Sequence, residues 1–159
     1  MNIAGAHLTY CTNIHPGESW AEVRANLEQH VAAVKARVAP DRAFGVGLRL
    51  SARAAEECEI GELKRLLARH DMYVFTINGF PHGTFHGTPV KEAVYLPDWR
   101  EPARVAYTNR LADLLVELLP DGVTGSISTV PGCFGRDGDL DLIAANVRRS
   151  EMAPVRSRG

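Results

Sequence analysis

The residues best equipped for chemistry lie in one stretch, Asn78-Gly79-Phe80-Pro81-His82-Gly83-Thr84-Phe85-His86-Gly87-Thr88-Pro89-Val90-Lys91. Two imidazoles, an ammonium and an amide could orient a polar ligand or move protons near neutral pH, with the Phe rings against its apolar edges. The bland alternative is an ordered surface loop whose histidines bond to backbone. His82 and His86 are four apart, but Pro81 and Gly83 oppose the helix that would align both rings. No carboxylate lies beside them to complete the three or four converging ligands that a metal usually needs.

A few further residues merit attention. Arg49 ends an apolar segment on its polar side, where a guanidinium must find a ligand's oxygens or an internal carboxylate. Asn13, His15 and Ser128 follow other apolar segments and are candidates for binding. Cys11, Cys58 and Cys133 are widely spaced and fit neither a disulfide framework nor a CxxC clip, so they read as reduced thiols. His7 reads as a packing residue, and His30 and His70 as helix-surface or helix-end groups.

The elements that must position these groups repeat. His7 to Cys11 alternates polar and apolar residues as a strand does. Ser19 and Glu22 form a capping-box pattern, followed by Trp20, Val23, Leu27, Val31, Val34 and Val38 at helical spacing. Strands over 44–50 and 72–78 flank a helix that carries Leu63, Leu66 and Leu67. After the long loop of 79–99, Pro102 suits the first turn of a helix with Val105, Ala112, Leu115 and Leu119 on one stripe. Residues 125–130 form a fourth strand, and Asp139 caps a last helix bearing Leu140, Ile143, Ala144 and Val147.

Strands that alternate with amphipathic helices predict an α/β fold with parallel (β/α) repeats and right-handed crossovers. Bulky Leu8 and Tyr10, Val46, Leu48 and Leu50, and Tyr73, Phe75 and Ile77 occupy one face of each strand; the other is small or polar. That one-sidedness predicts helices on one face only, as in the wall of a barrel. No GxGxxG or GxxxxGK[ST] loop follows a strand, which weakens a nucleotide-binding reading. Four strands are half of a (β/α)8 TIM barrel, whose typical length is about 250 residues. The expectation is therefore a truncated barrel over 1–149, with 150–159 as a disordered or non-native tail. In such barrels the working groups stand where the strands end.

Net charge is −1 from 18 basic and 19 acidic residues, so no basic field exists to hold nucleic acid. No apolar run reaches the roughly 20 residues that cross a bilayer, and a cytoplasmic protein without membrane insertion is expected.

Three stretches, HLTYCTNIHPGESW at 7–20, FTINGFPHGTFHGTPVKEAVYLPDWR at 75–100 and GSISTVPGCF at 125–134, resemble the N-terminal half of EboE-family metabolite traffic proteins. That family belongs to the xylose-isomerase-like barrels. The resemblance covers residues 5 to 148 and implies binding or processing of a small metabolite, sugar-like or a precursor for export, at the C-terminal barrel face. It implies a divalent metal (Mn, Mg, Zn or Co) held by later strands of the full-length barrel, with no ligand on this chain. If active, the complete protein would be a sugar or sugar-phosphate isomerase or epimerase. The competing readings are a carrier without turnover and a half-barrel that self-associates into a homo-oligomer through exposed sheet edges.

Overall fold

The computed structural model describes residues 2–84, 91–135 and 138–151. Its centre is strand β4 (Phe44–Arg49), every residue of which is buried. A short hairpin precedes it, β1 (Asn2–Ile3) with β2 (Ala6–His7), turning through positive φ at Ala4 and Gly5. Three further strands, β3 (Thr9–Cys11), β5 (Met72–Asn78) and β6 (Ser126–Ser128), join β4 in an all-parallel sheet of order β3-β4-β5-β6. The order follows the chain without reversal, so the sheet lacks the switch point that makes the crevice of a doubly wound fold.

The helices arise where the sequence marks them. The capping box forms in full: the Ser19 hydroxyl accepts from the Glu22 N–H, and the Glu22 carboxylate accepts from the Ser19 N–H at 2.8 Å. Helix α1 (Trp20–Asn26) passes through a π-helical turn at Leu27–Val31 into α2 (Ala32–Val38). Ser51 caps α3 (Ala52–Glu57) by accepting from Ala54 N–H, and its own hydroxyl donates to the Glu18 carbonyl. Helix α4 (Ile60–Arg69) follows. Pro102 opens α5 (Pro102–Leu118), and the Asp139 carboxylate accepts from Leu142 N–H at the start of α6 (Leu140–Glu151). Helix α6 thus runs past the boundary expected at 149, and 152–159 lie outside the described residues.

The core is one cluster on one side of the sheet. Val46, Leu48, Val74 and Ile77 meet Leu27 and Val31, Leu63 and Leu66 of α4, and Leu111 and Leu114 of α5. Each fully buried Leu or Val contributes about 1.5–3 kcal/mol relative to exposure. On the other side Thr9, Cys11, Ser126 and Ser128 are exposed, as the expected one-sided covering requires.

Two strand assignments are corrected. Leu8, expected under the helices, falls between β2 and β3 and is 51% exposed. Tyr73 and Phe75, also expected there, lie half-buried on the uncovered face, where their rings pack with His7. The cause is a register shift between Val46 and Gly47: Val46 pairs with Val74, but Gly47 pairs with Thr76. Phe75 is the additional residue of this bulge, so Met72 and Val74 take the core side before it and Ile77 after it.

Candidate functional site

The register aligns Arg49, Asn78 and Ser128 as cross-strand partners in one row at the C-terminal ends of β4, β5 and β6. Cross-strand partners share a face, so three of the expected binding residues are brought together by sheet geometry alone. The Ser128 hydroxyl donates to Asn78 Oδ1 at 3.2 Å, and the Phe80 N–H donates to the same oxygen at 2.9 Å. The Asn78 carbonyl oxygen is thereby held in place, and its amide N–H groups are unspent among the described residues.

Arg49 is 2% exposed and its guanidinium is taken up within the chain. It donates to the carbonyls of Gly17 and Gly83 and pairs with the Glu18 carboxylate at 3.0 Å, while its backbone N–H donates to Thr12 Oγ1. The charge that could have anchored a ligand ties the loop after β3 to the loop after β5, using an internal carboxylate supplied by this chain. Asn13 sits in that first loop, in the short 3-10 turn Thr12–Ile14, and its Oδ1 is buried without a donor among the described residues. Such an orphan acceptor costs about 1–3 kcal/mol.

His15 and His82 turn to the helical layer instead of the open face. His15 Nε2 bonds to the Tyr10 hydroxyl at 2.9 Å, and its ring stacks on His30 with centroids 4.6 Å apart. The His82 ring meets the Tyr107 ring edge-on at 5.0 Å, and burial first, then the nearby Arg104 charge, push its pKa below the ordinary value. Its carbonyl accepts from the Ala52 N–H at 2.8 Å, so the loop is tied to the start of α3. His86 and the Lys91 side chain lie outside the described residues.

The residue that sequence reasoning missed is Arg104. Although it sits in α5 among exposed positions, it is 0% exposed and donates to the carbonyls of Pro97, Gly79 and Phe80 at 2.8, 2.7 and 3.2 Å. Burial lowers its pKa, and its guanidinium carbon lies 5.3 Å from the centre of the Tyr107 ring. Tyr107 in turn donates to the Leu50 carbonyl, and burial raises its pKa to about 12. The far end of the loop is fixed by Trp99, whose indole N–H donates to the Val130 carbonyl at 3.0 Å. The helical spacing gives one hint: Arg104 stands three residues before Tyr107 and seven before Leu111, on the stripe that faces the core.

The rim donors are amides, a hydroxyl and an already paired guanidinium, a poor set for a divalent cation. No group of three or more His, Cys, Asp or Glu able to hold a metal occurs among the described residues. The row at the strand ends suits a neutral polar ligand that exchanges hydrogen bonds with amide and hydroxyl groups. Comparison with protein-family models, with curated proteins and with solved structures finds no match for this chain.

Proposed function

We propose that the chain forms half of the wall of a (β/α)8 barrel of the xylose-isomerase-like, EboE type, and that it binds a small polyhydroxylated metabolite where its strands end. The observation that supports this best is the row Arg49, Asn78 and Ser128, at the end of a parallel sheet whose uncovered face carries the small or polar Thr9, Cys11, Ser126 and Ser128 beside the Tyr73 and Phe75 rings. A sheet in chain order with one bare face meets the geometry of a barrel wall, and such barrels work at the C-terminal face. Asn78 and Ser128 exchange hydrogen bonds with sugar-like hydroxyls. Isomerisation or epimerisation in the complete protein would draw its metal and its acid–base groups from strands beyond these four.

The test is an amide-resolved NMR titration of the chain with a ketose, an aldose and their phosphates. Saturable shifts at Asn78, Gly79 and Ser128, weakened by Asn78→Ala, are expected. Shifts confined to the opposite end of the strands would refute the rim as the binding site.

A further inference from the structure

A groove lies between α3 and α5, on the helical side of the sheet and away from its open face. It has a volume of about 330 Å³ and is walled by Ala52 and Glu56 of α3, by Ala103, Ala106, Tyr107 and Arg110 of α5, and by His82. Ligand pockets span roughly 300–1,000 Å³, so this one suits a small molecule. Three alanine methyls and the Tyr107 ring make the apolar part of the wall.

The polar part is unusual for a gap between two packed helices. Arg110 Nε donates to the Ala55 carbonyl at 3.0 Å, which fixes the guanidinium while leaving its terminal N–H groups to bond elsewhere. The Glu56 carboxylate forms no ion pair or hydrogen bond, and neither ring nitrogen of His82 is bonded, among the described residues. An anion, a cation and an imidazole thus line one small groove open to solvent, with no salt bridge or hydrogen bond among the three.

We propose that this groove binds a small zwitterion of the α-amino-acid class, its ammonium on Glu56, its carboxylate on Arg110 and its apolar side chain against Ala52, Ala103, Ala106 and the Tyr107 ring. A purely anionic ligand would meet Glu56, and a purely cationic one would meet Arg110. Opposite charges a few ångströms apart on one ligand satisfy both groups. The imidazole of His82 accepts a hydrogen bond from the ammonium or donates one to the carboxylate.

The proposal is tested on the full chain by NMR titration with L-leucine, N-acetyl-L-leucine and L-leucinamide. L-leucine should shift the amides of Ala52, His82, Ala106 and Arg110 saturably, with a dissociation constant on the order of 1 mM, and each capped analogue should bind at least about tenfold more weakly. Glu56→Gln, an exposed substitution that leaves the fold intact, should abolish the preference for L-leucine over its N-acetyl form. Arg110→Gln should abolish the preference over the amide. Absence of saturable shifts in the groove, or equal binding of all three ligands, overturns the proposal. So does a preference that survives both substitutions. The rim amides of Asn78 and Ser128 report separately on the site at the strand ends, so the two readings fail independently.

Discussion

Arg104 combines complete burial with three carbonyl partners and no ion pair among the described residues, which makes it the most consequential single side chain for the loop after β5. Arg104→Met keeps most of the buried stem but orphans the carbonyls of Gly79, Phe80 and Pro97. Each buried unsatisfied group costs about 1–3 kcal/mol, so a loss of about 3 kcal/mol or more is expected in urea denaturation. A second residue-scale effect depends on pH. Hydrogen bonds from the Ser19 and Glu18 backbone hold the Glu22 pKa near 2, below its ordinary 4.5. The folded value is depressed, so the stabilisation is present above pH 4.5 and is lost as pH falls through 2. Glu22 is exposed and screened by water, and the cap as a whole is worth about 1 kcal/mol. Glu22→Gln should flatten the acid limb of the stability curve between those pH values while leaving its slope at neutral pH unchanged, as read from thermal melts across pH.

At the scale of elements, the loop after β5 leaves the sheet through a gap that only glycine fits. A Cβ on Gly79 would stand 2.6 Å from Leu111 Cδ1 and 3.0 Å from the Ser128 carbonyl oxygen. Gly79→Ala should therefore cost about 1–3 kcal/mol by overpacking, and it should shift the Asn78 and Ser128 amides in NMR spectra. How much of this was legible in the sequence varied with the range of the interaction. The Ser19–Glu22 capping box, Pro102 at the start of α5 and the Asp139 cap are local, and the residues announce them. The sides taken by Tyr73 and Phe75 were not legible, because the bulge depends on pairing with β4, and alternation within one strand carries no trace of its partner's register. His82 and His15 turned to the helices for a related reason: their partners Tyr107, Tyr10 and His30 come from elements whose packing a linear reading does not place. Arg49 was legible as a buried cation in need of partners, but the choice between a ligand and an internal acceptor was settled by Gly17, Glu18 and Gly83 in the two flanking loops.

At the scale of the molecule, the proposed barrel reading assigns the metal and the acid–base groups to strands other than these four, so on that reading the 159-residue chain should show no isomerisation of keto-aldo sugars above background with added manganese, magnesium or cobalt. A coupled assay with each metal measures this, and robust turnover would mean that the four-stranded unit contains its own acid–base machinery. The sheet's order makes a further prediction about stability across the molecule. Strand β4 is bonded on both sides and buried along its whole length, and β5 lies between β4 and β6, whereas among the described residues β3 and β6 each pair on one side and span three residues. Local opening free energies range from near zero at frayed segments up to the global value in core strands. Amides of Val46, Leu48, Val74 and Ile77 should therefore exchange only through global unfolding. Those of Thr9, Cys11, Ser126 and Ser128 should exchange through openings roughly 2 kcal/mol or more cheaper. Exposed edges invite pairing with further strands, so if this sheet is half of a closed wall, adding the polypeptide that completes it should raise protection at β3 and β6 together and leave β4 unchanged. Hydrogen exchange on the chain alone and on the completed protein separates the outcomes. Protection gained at only one edge would favour an open sheet extended by a strand, and protection gained at neither would remove the barrel wall as the reading of this fold.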